Sequence, residues 1–198
     1  TVDGQPSRVV VYGAAGRVTI LYISILCFYR CTWYEVERSF HLMEIAASCT
    51  EIDVRIGDRG HMFKYKYLIF IKYISVCSRS GSQSTSHGLG IASHNGSSTF
   101  RYKLNNRMPY VIGRLLPGAG QYNVLFTDYD RFALVWSCTN FSIAHSDRMW
   151  VLGREREIEA SLRAQIYALM QELHLDPDRL ILSKNTNCTA VEQSYKIN

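Results

Sequence analysis

The chain has 198 residues, of which 47% are hydrophobic and 20% charged, and its formal net charge is +5. That balance excludes an intrinsically disordered chain and suffices for a domain with its own core. Lys and Arg are scattered, with no basic helix and no aromatic RNA-binding signature, which argues against a nucleic-acid partner.

Residues 1–30 form an atypical N-terminal extension, and residues 31–198 a regular domain. Within the extension Val18–Tyr29 is an apolar run too short to span a bilayer comfortably. Three readings stay open: the apolar part of a signal peptide, although without an obvious small-residue cleavage site; a buried or edge strand; or sequence foreign to the native coding region. Phe63–Ile74 raises the last question again, because clumped Lys, Tyr, Ile and Phe is what a translated AT-rich intron would give. Comparing transcript with genome decides it.

Thr32–Ser39 reads as the first strand, followed by the apolar loop Phe40–Ala47. Ser48–Gly57 alternates cleanly, with Cys49, Glu51, Asp53 and Arg55 against Thr50, Ile52, Val54 and Ile56, as a half-buried strand should. His61–Cys77 is long enough for a strand with an overhang. Ser78–Gly90, rich in Gly and Ser, is expected to be a loop with a weak strand toward Ser93, and His94–Ser97 contains the Asn-Gly of a hairpin turn. Thr99–Leu116 must bend or bulge near Pro109, before the turn Pro117–Gly120. Three strands follow: Tyr122–Phe126, Phe132–Cys138 and Arg148–Arg154, joined by the Thr127–Asp130 turn and an Asn140–Asp147 loop. Glu155–His174 is the one helix, with Ile158, Leu162, Ile166, Leu169 and Leu173 on a single stripe. Glu155, Glu157 and Glu159 suit its N-terminal dipole end. Arg179–Ser183 would add a short strand, and Lys184–Asn198 is polar, with no lipid-anchor signal.

Eight strands with short connections is the pattern of an all-β, antiparallel up-and-down barrel, with the helix docked outside. Strand direction then brings Trp33, Asp128, Tyr129 and Arg154 to one end. There Trp33 would plug the barrel, and Arg154 would stack on its indole while bonding carbonyls, a structural role and not a catalytic one. The mouth lies opposite, at Phe40–Ala47, Ser78–Gly90, Leu116–Gln121 and Asn140–Asp147, with Phe40, Leu42, Met43, Leu115, Leu116 and Phe141 on or near the rim. Candidate ligand-binding residues of the inner wall are Phe100, Tyr102, Tyr110, Tyr122, Val124, Phe126, Val135 and Trp150. Only Trp150 has its face fixed by parity with Arg154; outward packing stays open for the rest. Such an aromatic, nearly charge-free wall suits an apolar, flat ligand.

Six cysteines, at 27, 31, 49, 77, 138 and 188, include no Cys-x-x-Cys and no paired-His motif accompanies them, so no metal site is expected. With sequons at Asn95, Asn140 and Asn187 they fit a secreted, disulfide-bonded glycoprotein. No Gly-x-Ser-x-Gly, phosphate-binding loop or His-Glu-x-x-His is present to suggest an enzyme.

The Thr127-Asp128-Tyr129 turn and the strand-terminal Arg154 resemble the second and third signature motifs of the lipocalins. Cys31-Thr32-Trp33-Tyr34-Glu35 resembles the first, Gly-x-Trp, with Cys31 in the glycine position. Trp33–Glu35, Asp128-Tyr129, Ala133–Val135, Ser137-Cys138 and Trp150–Arg154 are similar to the branch of apolipoprotein D, Lazarillo and the insect bilin-binding lipocalins. The likeness runs from Thr32 to Asp58 and from about Thr99 to Cys188; it is absent over the first thirty residues and poor between Phe63 and Cys77. It implies an extracellular carrier of a small hydrophobic ligand (fatty acid, retinoid, sterol, pheromone-like lipid or bilin), with no cofactor beyond a bound bilin or retinoid. It also implies that Trp150 matches a pocket tryptophan, that Cys49 pairs with Cys188, and that Cys138 pairs with Cys27 or Cys31. The alternative is a protein that meets a lipoprotein, membrane or receptor through its apolar mouth loops. A thiol isomerase would need a free cysteine inside the barrel, which the Cys49 pairing would consume.

Overall fold

Thr32–Ser39 (β1) is the strand on which the others close. The computed structural model describes residues 32–40, 46–57, 68–77, 80–92, 98–104, 120–141, 144–186 and 188. Ala47–Gly57 (β2), Leu68–Cys77 (β3), Gln83–Ala92 (β4), Thr99–Leu104 (β5), Gly120–Thr127 (β6), Phe132–Phe141 (β7) and Ala144–Gly153 (β8) each pair with the next, antiparallel. β1 bonds β8 along one edge and β2 along the other, which closes an eight-stranded barrel. The second edge of β1 is shared. Thr32–Tyr34 face β2, whereas Glu37–Ser39 face the short strand Leu180–Leu182 (β9). The Phe63–Ile74 run contributes its second half to β3, bonded on both sides.

Alternation builds two cores. Trp33, Val54, Ile71, Phe100, Val124, Ala133, Val135, Trp150 and Leu152 form the inner one. Phe132, Leu134, Met149 and Val151, the opposite parity of β7 and β8, turn outward and meet Leu162, Ile166 and Met170 of the helix Ala160–Glu172 (α1). Each of these buried side chains contributes about 1.5–3 kcal/mol. Glu37, buried on the same outer side, receives Arg163 Nε at 2.6 Å and the Tyr167 hydroxyl at 2.8 Å, which fixes the roll of the helix. The helix thus sits outside the barrel.

Three local expectations are corrected. Ser78–Gly90 is not a loop: from Gln83 onward it is β4, laddered to β3 and β5. Backbone bonds on both edges override the poor strand propensity of Gly and Ser. Asn140–Asp147 is not a loop either, because the β7–β8 ladder continues to Phe141 opposite Ala144. The helix starts at Ala160, five residues later than expected, and has no acidic residue in its first turn. Residues 154–159 are occupied otherwise: Arg154 serves the barrel floor, and Arg156 pairs with Glu51 across the outside.

Cys49 and Cys188 form a disulfide, with Cα atoms 5.5 Å apart and a sequence separation of 139, packed on Ile74. Ties of this span stabilise by roughly 4–5 kcal/mol through the unfolded chain. Cys138 is bonded to none of the described cysteines. Its expected partners Cys27 and Cys31 lie outside the described residues, as do the extension 1–30, Tyr110, Asn95, Asn187, the His94–Ser97 turn, the bend at Pro109, and Leu42, Met43, Leu115 and Leu116.

Candidate ligand-binding site

The floor is assembled by a turn whose geometry follows from its side chains. Thr127 donates its hydroxyl to the Phe132 carbonyl at 2.9 Å and accepts from the Tyr129 amide at 2.9 Å. Asp128 accepts from the Arg131 and Phe132 amides through Oδ1, both at 2.9 Å, an Asx-type closure. Tyr129 is thereby held at a φ of 65°, with its carbonyl turned to Arg154. Arg154 donates Nε and Nη2 to that carbonyl at 2.9 and 2.7 Å, and Nη1 to the Thr32 carbonyl at 3.1 Å. Its guanidinium lies 3.5 Å over the Trp33 ring, which is fully buried. Trp33, Asp128, Tyr129 and Arg154 are therefore one unit. It closes one end of the barrel and offers no reactive group.

Above this plug the wall is organised in cross-strand rows, since directly opposed residues share a face. Ala133, Leu152 and Glu35 form the lowest row. Val124, Val135, Trp150 and Arg38 form the next. Phe100, Tyr122, Ser137 and Arg148 form the third. Phe100 stacks on Tyr122 at 5.5 Å, and Tyr122 reaches the Trp150 ring at 5.4 Å, an aromatic band that crosses three strands. On β4, the neighbour of β5, Gly88 and Gly90 stand on the face of Ile71 and present no side chain there.

Of the predicted wall residues, Phe100, Tyr122, Val124, Val135 and Trp150 come together in the inner cluster. Tyr102 stands on β5 opposite Gly90 and Gly120. Phe126 is not on the inner wall. A bulge between Val124 and Phe126 inverts the parity of β6, and Phe126 stacks on Phe132 at 5.4 Å in the outer cluster. Sequence reading missed three inward charged residues, Glu35, Arg38 and Arg148. Arg38 donates Nη1 to Glu35 Oε1, and Ser183 donates to the same oxygen at 2.7 Å. Parity with Trp33 and Trp150 was the signal that could have found Glu35 and Arg148, whereas a bulge between Glu35 and Glu37 turns Arg38 inward against the alternation. Among the described residues no cluster of His, Cys, Asp and Glu has the makings of a metal site.

No family model matches the chain. It is 37% identical to Apolipoprotein D of Cavia porcellus over 76 residues, 38% of this chain and 40% of that protein. It is 32% identical to the Lazarillo protein of Schistocerca americana over 82 residues, 40% of this chain and 35% of that protein. The matched part is thus well under half the length of these curated relatives. Among solved structures, lobster apocrustacyanin A1 superposes with a TM-score of 0.59 at 15% identity, covering 87% of this chain and 90% of that one. Insecticyanin from the tobacco hornworm Manduca sexta gives 0.57 at 14% identity, over 83% and 82%. At such identities the structures establish the shared barrel, and the curated relatives add a sequence likeness over about two fifths of the chain. Over that part the chain is similar to apolipoprotein D and Lazarillo, and its barrel is that of apocrustacyanin and insecticyanin.

Proposed function

We propose that residues 31–198 form an extracellular carrier that holds one small hydrophobic ligand inside the barrel, on the aromatic band. The observation that carries this reading is the convergence of Phe100, Tyr122 and Trp150, from three strands, on one face above a sealed floor. Apolar burial supplies the affinity, about 25 cal/mol per Å² before the costs of association. A fatty acid, retinoid, sterol, pheromone-like lipid or bilin has the right character, and binding rather than catalysis is the expected activity. The Cys49–Cys188 disulfide supports an oxidising, extracellular setting, in which Asn95, Asn140 and Asn187 are the proposed glycan acceptors.

Tryptophan-quenching titrations with a long-chain fatty acid, retinoic acid, a sterol and biliverdin test the reading. Saturable one-to-one quenching by any of them, weakened by roughly tenfold or more in Trp150→Ala, is the expected result. Absence of quenching by the folded, oxidised protein would contradict it. A second reading, docking of the mouth on a lipoprotein or membrane surface, is favoured by Phe40, which is 60% exposed at the mouth end of β1. The two readings differ in where a bound lipid perturbs the molecule.

A further inference from the structure

Apolar burial leaves Arg148 unexplained. It stands mid-strand on β8, directly opposite Ser137 and one row above Val135 and Trp150. It is 5% exposed, and its Nη1 is buried with no hydrogen-bond partner. None of the ion pairs among the described residues includes it. Ser137, 1% exposed, has a buried hydroxyl that is likewise without a partner. The Trp150 ring centroid is 5.8 Å from the guanidinium carbon, the outer limit of a cation–π contact and no substitute for a counter-ion.

Charge on this inward face does not balance. Arg38, opposite Trp150, is neutralised by Glu35, opposite Leu152, with which it forms an ion pair. Among the described residues of this face, Arg148 is the positive charge left over. A guanidinium held in a water-poor wall without an anion is costly, and so is a hydroxyl with nothing to bond. Both groups sit in one row with Phe100 and Tyr122, so a polar end and an aromatic end face the same interior.

We propose that Arg148, assisted by Ser137, is an anion site inside the barrel that takes the carboxylate of an amphipathic ligand, whose apolar part lies on Phe100, Tyr122 and Trp150. A carboxylate fits better than a phosphate ester. It is planar, it matches the guanidinium fork, and its single charge balances the single uncompensated cation. The inference rests on the carrier reading and narrows it from apolar ligands to long-chain or polyene carboxylates.

Matched acids and alcohols separate the two. Oleic acid with oleyl alcohol, and retinoic acid with retinol, are titrated into the wild-type protein, Arg148→Met, Arg148→Lys and Ser137→Ala. In at least one pair the wild type binds the acid roughly tenfold or more tightly than the alcohol. Arg148→Met binds both members of that pair with the alcohol's affinity, and Arg148→Lys keeps part of the preference. The pair that shows the effect tells a fatty carboxylate from a retinoid one. Should Arg148→Met fail to fold, Ser137→Ala keeps the test open, since it reduces the acid-over-alcohol preference, and an unchanged preference there overturns the anion site. Equal affinity for acid and alcohol in both pairs, or a preference that survives in folded Arg148→Met, overturns the anion site and leaves the carrier standing. Failure of all four ligands to bind a natively folded protein overturns the carrier and the anion site together.

Discussion

Arg154 draws three hydrogen bonds from one side chain, to carbonyls on the β6–β7 turn and at the start of β1, while it covers Trp33. Replacing it by Gln removes a charge-assisted set that no other described group can rebuild. Arg154→Gln is expected to lose about 2–3 kcal/mol of unfolding free energy, read as a lower urea midpoint at unchanged slope. Arg131→Gln breaks an ion pair with Asp128 in which the arginine side chain is 59% exposed, and should change stability by less than about 1 kcal/mol. Comparable losses from the two would contradict the role given to the floor. These floor residues were legible beforehand because three motifs and the meander's direction all send them to one end. Phe126 was not, since a bulge leaves no mark in the alternation of Tyr122–Phe126 and reverses the face after Val124. Arg148 shares its parity with Trp150 and Arg154, but a charge at the supposed start of a strand reads as a boundary and not as a wall residue.

At the scale of elements, the docking of α1 carries a pH signature. Burial, and then the hydrogen bond to Glu37, push the Tyr167 hydroxyl up from its ordinary 10.0 to about 12. The fold therefore favours the protonated phenol. Its contribution is complete below pH 10 and is lost as the pH rises through about 12. Denaturant unfolding at about pH 9 and about pH 11 should show a larger fall for the wild type than for Tyr167→Phe, which has nothing to titrate. Equal falls would mean that Glu37 does not hold the phenol in solution. The helix itself was visible in its stripe of Leu162, Ile166 and Leu169, although Met170 and not Leu169 is among the fully buried residues. Its start was misplaced because three glutamates look like a first turn, whereas the chain spends them on leaving the floor. β4 hid for the opposite reason. Gly88 and Gly90 have no propensity to declare, and only the neighbouring strands make them a wall.

At the scale of the molecule, the described residues form a barrel closed by one strand, β1, braced outside by α1 and tied by Cys49–Cys188. Closure is what gives the inner face its meaning: residues from seven strands become neighbours around one space. The barrel class was legible because strand count, hairpin spacing and the three motifs agree. The contents of the interior were less so, since they depend on bulges and registers that only the ladder fixes. The central claim is that a ligand goes inside. Heteronuclear NMR of the labelled protein, titrated with oleate and with retinoic acid, tests it most directly. A ligand held inside gives saturable shifts at Phe100, Tyr122, Val135 and the Trp150 indole at one equivalent, with Leu162, Ile166 and the rest of α1 unmoved. Shifts confined to Phe40, Ile181 and Leu182 at the exposed apolar surface, or no shifts at all, would contradict it.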